Sequence, residues 1–389
     1  MTITRRIRPL RTSEPQSVTF VELFFDLVFV FAVTQITVLT AHDLTPAGVF
    51  RSIVLFWLIW WAWTQFTWTL NPADTTHPGV RALTLAATAA AFVMATAVPN
   101  AFGGDGLWFA VPYVLVRLLG LGLQVGVDLE RLDADHSTIR RWVSVSAVGL
   151  ALVLVGAFVD PGLRAPIWLL AIGGDIVATT VAGQGAVWDI NAAHFSERHG
   201  LFVIIALGES LIVAATAVAG EPRTTELVAA VAAALAIACL LWWTYFGWLK
   251  DALEHAFAGA APQQVGRLAR DAFSLGHFAL VCGIVGFAVG VEEILAHPDE
   301  PAGGAVVAAL GGGVALFVGF SAFAYWRLSG RLLVARLALL VVMAPILWWV
   351  APLGPVWPLL VVIGILAIIV AVEAAGPGAA ARHQPRQAA

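Results

Sequence analysis

Residues 18–40 read VTFVELFFDLVFVFAVTQITVLT, an apolar run interrupted by two charges, Glu22 and Asp26, and by a few uncharged polar side chains. A helix needs about 20 apolar residues to cross the hydrocarbon core of a bilayer, and this run has the length. Glu22 and Asp26 are four apart, so on a helix they project from one face. Ahead of the run, Met1 to Gln16 carries Arg5, Arg6, Arg8 and Arg11. A cleavable signal peptide has a shorter apolar region followed by a small-residue cleavage site. The run therefore reads as a retained first span.

Outward from this stretch the character persists. The chain has 389 residues, 60% hydrophobic and 12% charged, where soluble domains average about 45–50% and about 25%. That balance excludes an ordinary soluble enzyme, a disordered chain and a basic nucleic-acid binder, and a net charge of −4 gives no reason to expect a nucleic-acid partner. Further apolar runs at 47–70, 81–100, 107–128, 141–160, 164–185, 199–219, 225–249, 271–294, 302–326, 333–351 and 355–374 bring the predicted spans to twelve. With twelve spans, seventeen of the 21 Lys and Arg fall on one side, Arg336 among them, against Arg51, Arg164 and Arg223 on the other. Basic residues concentrate in cytoplasmic loops, so both termini are expected in the cytoplasm of a bacterial inner-membrane protein.

The organisation follows: a basic cytoplasmic leader at 1–17, a single helical membrane domain at 18–375, and a disordered cytoplasmic tail at 376–389. Two parallel six-helix repeats, 18–185 and 195–375, are a further reading. Trp60-Trp61-Ala-Trp63 in the second span has a counterpart in Trp242-Trp243-Thr-Tyr245 in the eighth, and Phe20-Val-Glu22 in Phe195-Ser-Glu197. The offsets are similar, as in transporters built from repeats. In a chain with 16 Trp, coincidence accounts for the same pairs.

Ionisable residues deep in a membrane cost at least about 2.5–3.5 kcal/mol on insertion scales and normally face the protein interior with a partner. Besides Glu22 and Asp26, Arg117 falls at the centre of the fourth span, Asp175 of the sixth and Glu209 of the seventh, and His277 two turns into the ninth. Arg117 is one cation against four carboxylates. The surplus acids must be protonated, hydrated in a cavity or balanced by a bound cation, which suits a proton or cation pathway. The alternative is a structural lock with Gln35, Gln65 and Gln124, and for His277 a hydrogen-bonded core residue. His194, Glu197 and Arg198, at i, i+3 and i+4 just before the seventh span, read as a cytoplasmic gate or a helix-start network. No zincin-like spacing is present, so no metal and no cofactor is expected. Asp74 and His77 read as solvated loop residues. Gly122-x-x-x-Gly126 and Gly286-x-x-x-Gly290 permit close helix contact.

Four segments together resemble the bacterial low temperature requirement protein A family. They are Glu22-Leu-Phe-Phe-Asp26-Leu-Val-Phe-Val-Phe-Ala, Glu197-Arg198-His-Gly200-Leu-Phe202-Val-Ile-Ile-Ala-Leu-Gly208-Glu209-Ser210, Trp242-Trp243-x-Tyr245-Phe246, and His277…Gly283-Ile…Gly290-Val-Glu292-Glu293. The likeness covers most of the chain and weakens after about residue 330. It implies a polytopic inner-membrane protein and places Glu22, Asp26, Glu197, Arg198, Gly208, Glu209 and His277 at motif positions, without bringing an established chemistry. The expected function is a secondary transporter or channel-like protein for a proton, a cation or a small solute. Asp26 and Glu209 would be its exchange sites, Arg117 the counter-charge and Asp175 a third acid. An enzyme acting on a lipid or isoprenoid is the alternative, though the Asp-rich diphosphate motifs are missing. A sensor or scaffold with a structural polar network is another. The expected partners are the lipid bilayer, the small solute or ion, and a second copy of the chain.

Overall fold

The computed structural model describes residues 8–12, 14, 16–130, 137–182 and 188–376. Residues 1–7 of the expected leader, and the expected tail beyond Gly376, lie outside them. The helices are α1 (Phe20–His42), α2 (Pro46–Leu70), α3 (Pro78–Thr96), α4 (Gly106–Leu129), α5 (Ser137–Phe158), α6 (Pro161–Ala182) and α7 (Ala192–Ala217). They continue as α8 (Thr225–Phe246), α9 (Leu249–Ala258), α10 (Pro262–Leu268), α11 (Gly276–Ala296), α12 (Gly304–Ser329), α13 (Val334–Val350) and α14 (Val356–Ala375). A π-helical turn, Ala269–Leu275, joins α10 to α11. Among the described residues, 11 helical stretches are long and apolar enough to cross a membrane, and α6 adds a helix of 22 residues where the sixth span is predicted. The chain is a helical multi-pass membrane protein.

Local signals set several helix ends. In Thr19-Phe-Val-Glu22 the glutamate reaches back: its Oε2 accepts from the Thr19 N–H at 2.9 Å and the Thr19 hydroxyl at 2.8 Å. This is the glutamate half of a capping box, satisfying a donor that the first helical turn leaves free. At α3, Pro78 occupies the first turn and the His77 ring accepts from the Gly79 N–H at 3.1 Å. His77 thus caps the helix from the loop. Gly330, at φ +72°, ends α12 in the left-handed region that glycine adopts without a Cβ clash.

The chain forms two compact units. The first draws on residues 1–35, 54–198 and 261–266, the second on 36–53, 199–260 and 267–389. In the first unit, α3 through α6 pack as sequential neighbours. Its core holds Phe25 between Phe29 and Phe66, with ring centroids 4.7 and 4.6 Å away. Arg164, expected in an external loop, is instead buried and donates to the carbonyls of Ala101, Gly103 and Gly156 at 2.6, 2.8 and 3.0 Å.

From Arg8 onward, the described residues of the N-terminal segment are tied to the first unit. Leu10 and Arg11 donate their N–H groups to the two Glu130 oxygens at 2.9 Å each, and Arg11 bridges Ala73. The Gln16 amide donates to the carbonyls of Leu70, Asn71 and Ala73 at 3.3, 3.2 and 2.8 Å, closing the end of α2. Arg8 pairs with Asp74 at 2.5 Å, so Asp74 also has a structural partner.

In the second unit α11 lies against α12, and α14 against α8 and α13. The α11–α12 crossing runs over Gly283, Gly286, Gly290 and Gly313. A Cβ on Gly313 would sit 2.3 Å from the Phe287 nitrogen, and one on Gly290 2.7 Å from Leu310 Cβ. Gly122 has no such neighbour: a Cβ there would meet nothing within 4 Å.

Candidate functional site

Three elements of the first unit converge on a cluster of buried charge: the start of α1, the end of α2 and the start of α7. The seventh helix begins at Ala192, seven residues earlier than predicted, so His194, Glu197 and Arg198 stand on its first two turns rather than ahead of it. Glu22, Asp26 and Arg198 are 0% exposed and His194 1%. Arg198 pairs with Asp26 Oδ1 through Nη2, and its Nη1 lies 3.7 Å from Glu22 Oε1. The Trp63 indole N–H donates to the same Asp26 oxygen at 2.7 Å, and the guanidinium carbon rides 5.7 Å over the Trp63 ring. His194 Nε2 is 3.1 Å from Glu22 Oε1.

Asn71, one residue past α2, holds the histidine from behind. Its Oδ1 accepts from the Asn191 N–H at 2.7 Å, and its Nδ2 donates to the Asn191 carbonyl at 3.1 Å and lies 3.2 Å from His194 Nδ1. Glu197 is half-buried and accepts from the Val18 N–H at 3.4 Å. Within this cluster two carboxylates face one guanidinium. Asp26 Oδ2 is buried with no hydrogen-bond partner among the described residues.

A second ion pair in the same unit joins α4 to α6. Arg117 Nη2 lies 3.2 Å from Asp175 Oδ1, and its Nη1 donates to the Tyr113 hydroxyl at 2.8 Å. The Trp61 side chain also hydrogen-bonds Asp175, and Gln65 donates to the Arg117 carbonyl at 3.2 Å. Gln124 accepts from the Thr69 hydroxyl at 3.1 Å. Arg117 is therefore the counter-charge of Asp175. The expected tally of one arginine against four acids needs correction, because Arg198, read as part of a gate, is as deeply buried as its acids.

Glu209 and His277 belong to the second unit. Glu209 is half-buried, three turns further along α7 than Arg198. His277 has both ring nitrogens engaged, Nδ1 with the Ala272 carbonyl at 3.0 Å and Nε2 with the Tyr245 hydroxyl at 2.7 Å. A carbonyl only accepts, so Nδ1 carries the hydrogen and Nε2 accepts from the tyrosine. The ring stacks on Phe273 at 5.3 Å and meets His199 edge-on at 5.1 Å.

The second unit also contains an ion pair that the sequence reading missed. Arg336, counted among the loop cations, is 0% exposed. Its Nε pairs with Glu373 Oε1 at 2.5 Å and its Nη2 with Oε2 at 2.8 Å. Ser321 and the Thr244 carbonyl each accept a further bond from it at 2.6 Å, and Trp248 donates to Glu373 at 2.9 Å. Both residues stand near span ends, where a charge reads as solvated. Asn71 had no signal at all, since an asparagine after a span is an ordinary turn residue. Among the described residues, no group of three or more His, Cys, Asp or Glu could hold a metal ion.

A helical multi-pass membrane protein whose buried acids are set against arginines is the class that fold and site define. The chain belongs to the bacterial low temperature requirement A protein (LtrA) family, which it matches over residues 17–372. It is 31% identical over 291 residues to an uncharacterized protein of Rhizobium meliloti (strain 1021), a match covering 72% of this chain and 70% of that one. No solved structure matches it.

Proposed function

We propose that this protein is a secondary transporter or channel-like protein of the bacterial inner membrane, passing a proton, a cation or a small solute through a pathway that includes Asp26. The observation that carries the reading is the fully buried pair Glu22 and Asp26 facing the single guanidinium of Arg198. A structural lock is best served by matched charges, as Arg117–Asp175 and Arg336–Glu373 are. An unmatched acid in a low-dielectric interior is costly, and the cost is accounted for if that acid exchanges a positive charge during work. Glu209, further along α7, is the second candidate exchange site. The excess of basic residues on one side supports a cytoplasmic N-terminus.

The test is flux in proteoliposomes, read separately for protons, Na⁺ and K⁺, with wild type, Asp26→Asn and Glu209→Gln inserted in matched amounts. Wild type is expected to carry at least one of these ions, and Asp26→Asn to fall to the level of empty vesicles. If every variant conducts as wild type does, Asp26 lies outside any pathway and the reading fails.

A further inference from the structure

The cluster's own hydrogen bonds narrow what it can exchange, and the narrowing rests on the transport reading only for its physiological meaning. We propose that the exchanged species is a single proton, held on Oδ2 of Asp26 while Arg198 balances Glu22.

The first step concerns His194. The Asn71 amide is locked in one orientation, because the Asn191 N–H must meet an oxygen and the Asn191 carbonyl must meet a donor. The nitrogen thereby placed 3.2 Å from His194 Nδ1 can only donate, so Nδ1 is an acceptor and carries no hydrogen. The ring hydrogen sits on Nε2, the nitrogen 3.1 Å from Glu22. A second proton on this ring would set two N–H groups against each other at Asn71. His194 is therefore a neutral donor, and the charges facing Asp26 are Glu22 from α1 itself and Arg198 from α7, with neutral His194 beside them and the uncharged Trp63 from α2. Two carboxylates and one guanidinium leave one negative charge over.

The second step assigns the oxygens. Glu22 Oε2 is taken by Thr19, and Glu22 Oε1 faces His194 and Arg198. Asp26 Oδ1 is taken by Arg198 and Trp63. Among the described residues Glu22 Oε1 and Asp26 Oδ2 are the two cluster oxygens without a hydrogen bond, and of these Oε1 already lies beside the His194 Nε2 and the Arg198 guanidinium, which leaves Asp26 Oδ2 as the place for a proton. Ca²⁺ and Mg²⁺ take a shell of about six or more oxygens, whereas the other oxygen of the same carboxylate is already occupied by the N–H groups of Arg198 and Trp63. A proton needs only Oδ2, and adding it there breaks no existing bond.

The proposal is tested by infrared spectroscopy of the full-length purified protein at neutral pH, following the C=O stretch of a protonated carboxyl group. Wild type is expected to show the band, and ¹³C-labelled aspartate to shift it, an assignment that needs no substitution. Asp26→Asn should remove one carboxyl equivalent. Glu22→Gln should remove it as well, because Arg198 then balances an ionised Asp26. Asp175→Asn, outside the cluster, should leave it in place. The proposal is overturned by a wild-type spectrum without the band, by a band that aspartate labelling does not shift, or by one that survives both cluster substitutions. The two readings separate cleanly. A band that behaves as stated in a protein that conducts no ion keeps the proton site and removes transport. Na⁺ or K⁺ flux abolished by Asp26→Asn, with no band, keeps transport and removes the proton.

Discussion

Arg336 and Glu373 form a two-point pair, and the arginine also reaches Ser321 and the Thr244 carbonyl. Removing one partner of such a pair leaves a buried charge uncompensated and typically costs about 3–5 kcal/mol, whereas replacing both by apolar residues is often close to neutral. Glu373→Ala is thus expected to lower the thermal midpoint in detergent sharply, and Arg336→Met with Glu373→Leu to recover most of the loss. Additive losses in that double-mutant cycle would show that the two charges do not depend on each other. At this scale the sequence was partly legible. Glu22 and Asp26 stood out because a charge inside an apolar run has to be explained. Arg198 stood out only as part of a gate or helix-start network and Arg336 not at all, because a cation at a span end is the ordinary pattern, and only the third dimension shows that these two are buried. The helix start at Ala192 is the physical reason for the first error: the seven residues Ala192 to Arg198, four of them polar or charged, are wound into α7, where His194 and Arg198 meet partners on α1 and α2.

Between elements, spacing announces what a helix could do without saying what lies opposite. Both Gly-x-x-x-Gly motifs offer a smooth stripe, but only the one on α11 has a helix pressed on it, with Gly313 of α12 at the closest point. Gly313→Ala places a methyl group against the backbone of Phe287 and is expected to cost about 1–3 kcal/mol by overpacking. Gly122→Ala meets open space and gains helix propensity, so its thermal midpoint should hold or rise. Equal losses at the two positions would contradict the packing described. The spans themselves were legible because a helix in hydrocarbon must satisfy its backbone internally and cover itself with apolar side chains. The short α9 was not, since Lys250, Asp251, Glu254 and His255 make it read as part of the loop after the eighth span, and the π-helical turn has no sequence pattern of its own.

Across the molecule, the strap from Arg8 to Gln16 ties the N-terminus to the loop after α2 and to the end of α4. Part of its hold passes through Asp74. Partial burial pushes that carboxyl up, but the Thr76 hydroxyl and N–H and the Arg8 guanidinium outweigh it and keep the group below the ordinary aspartate range. A carboxyl with a depressed value contributes its stability above the unfolded value, about 3.9, and loses it as pH falls through the folded one. A spin label at Glu14→Cys, with Cys239 and Cys282 replaced, should be immobile at pH 7 and loosen only in acid below that range. In Asp74→Asn it should be looser already at pH 7. A label equally mobile in both proteins at pH 7 would count against the latch.

The distance in sequence between the charges of the cluster has a consequence for biosynthesis. Asp26 and Arg198 are 172 residues apart, and ribosomes add about 5–20 residues per second. For about 10–30 s, then, the first helix to leave the ribosome carries two carboxylates whose arginine has not yet been made. Until α7 arrives, those acids must wait at the translocon or the headgroup boundary. The nascent chain is therefore most exposed to quality-control proteases while its second through sixth helices are being threaded, and a truncation before residue 198 would never leave that state.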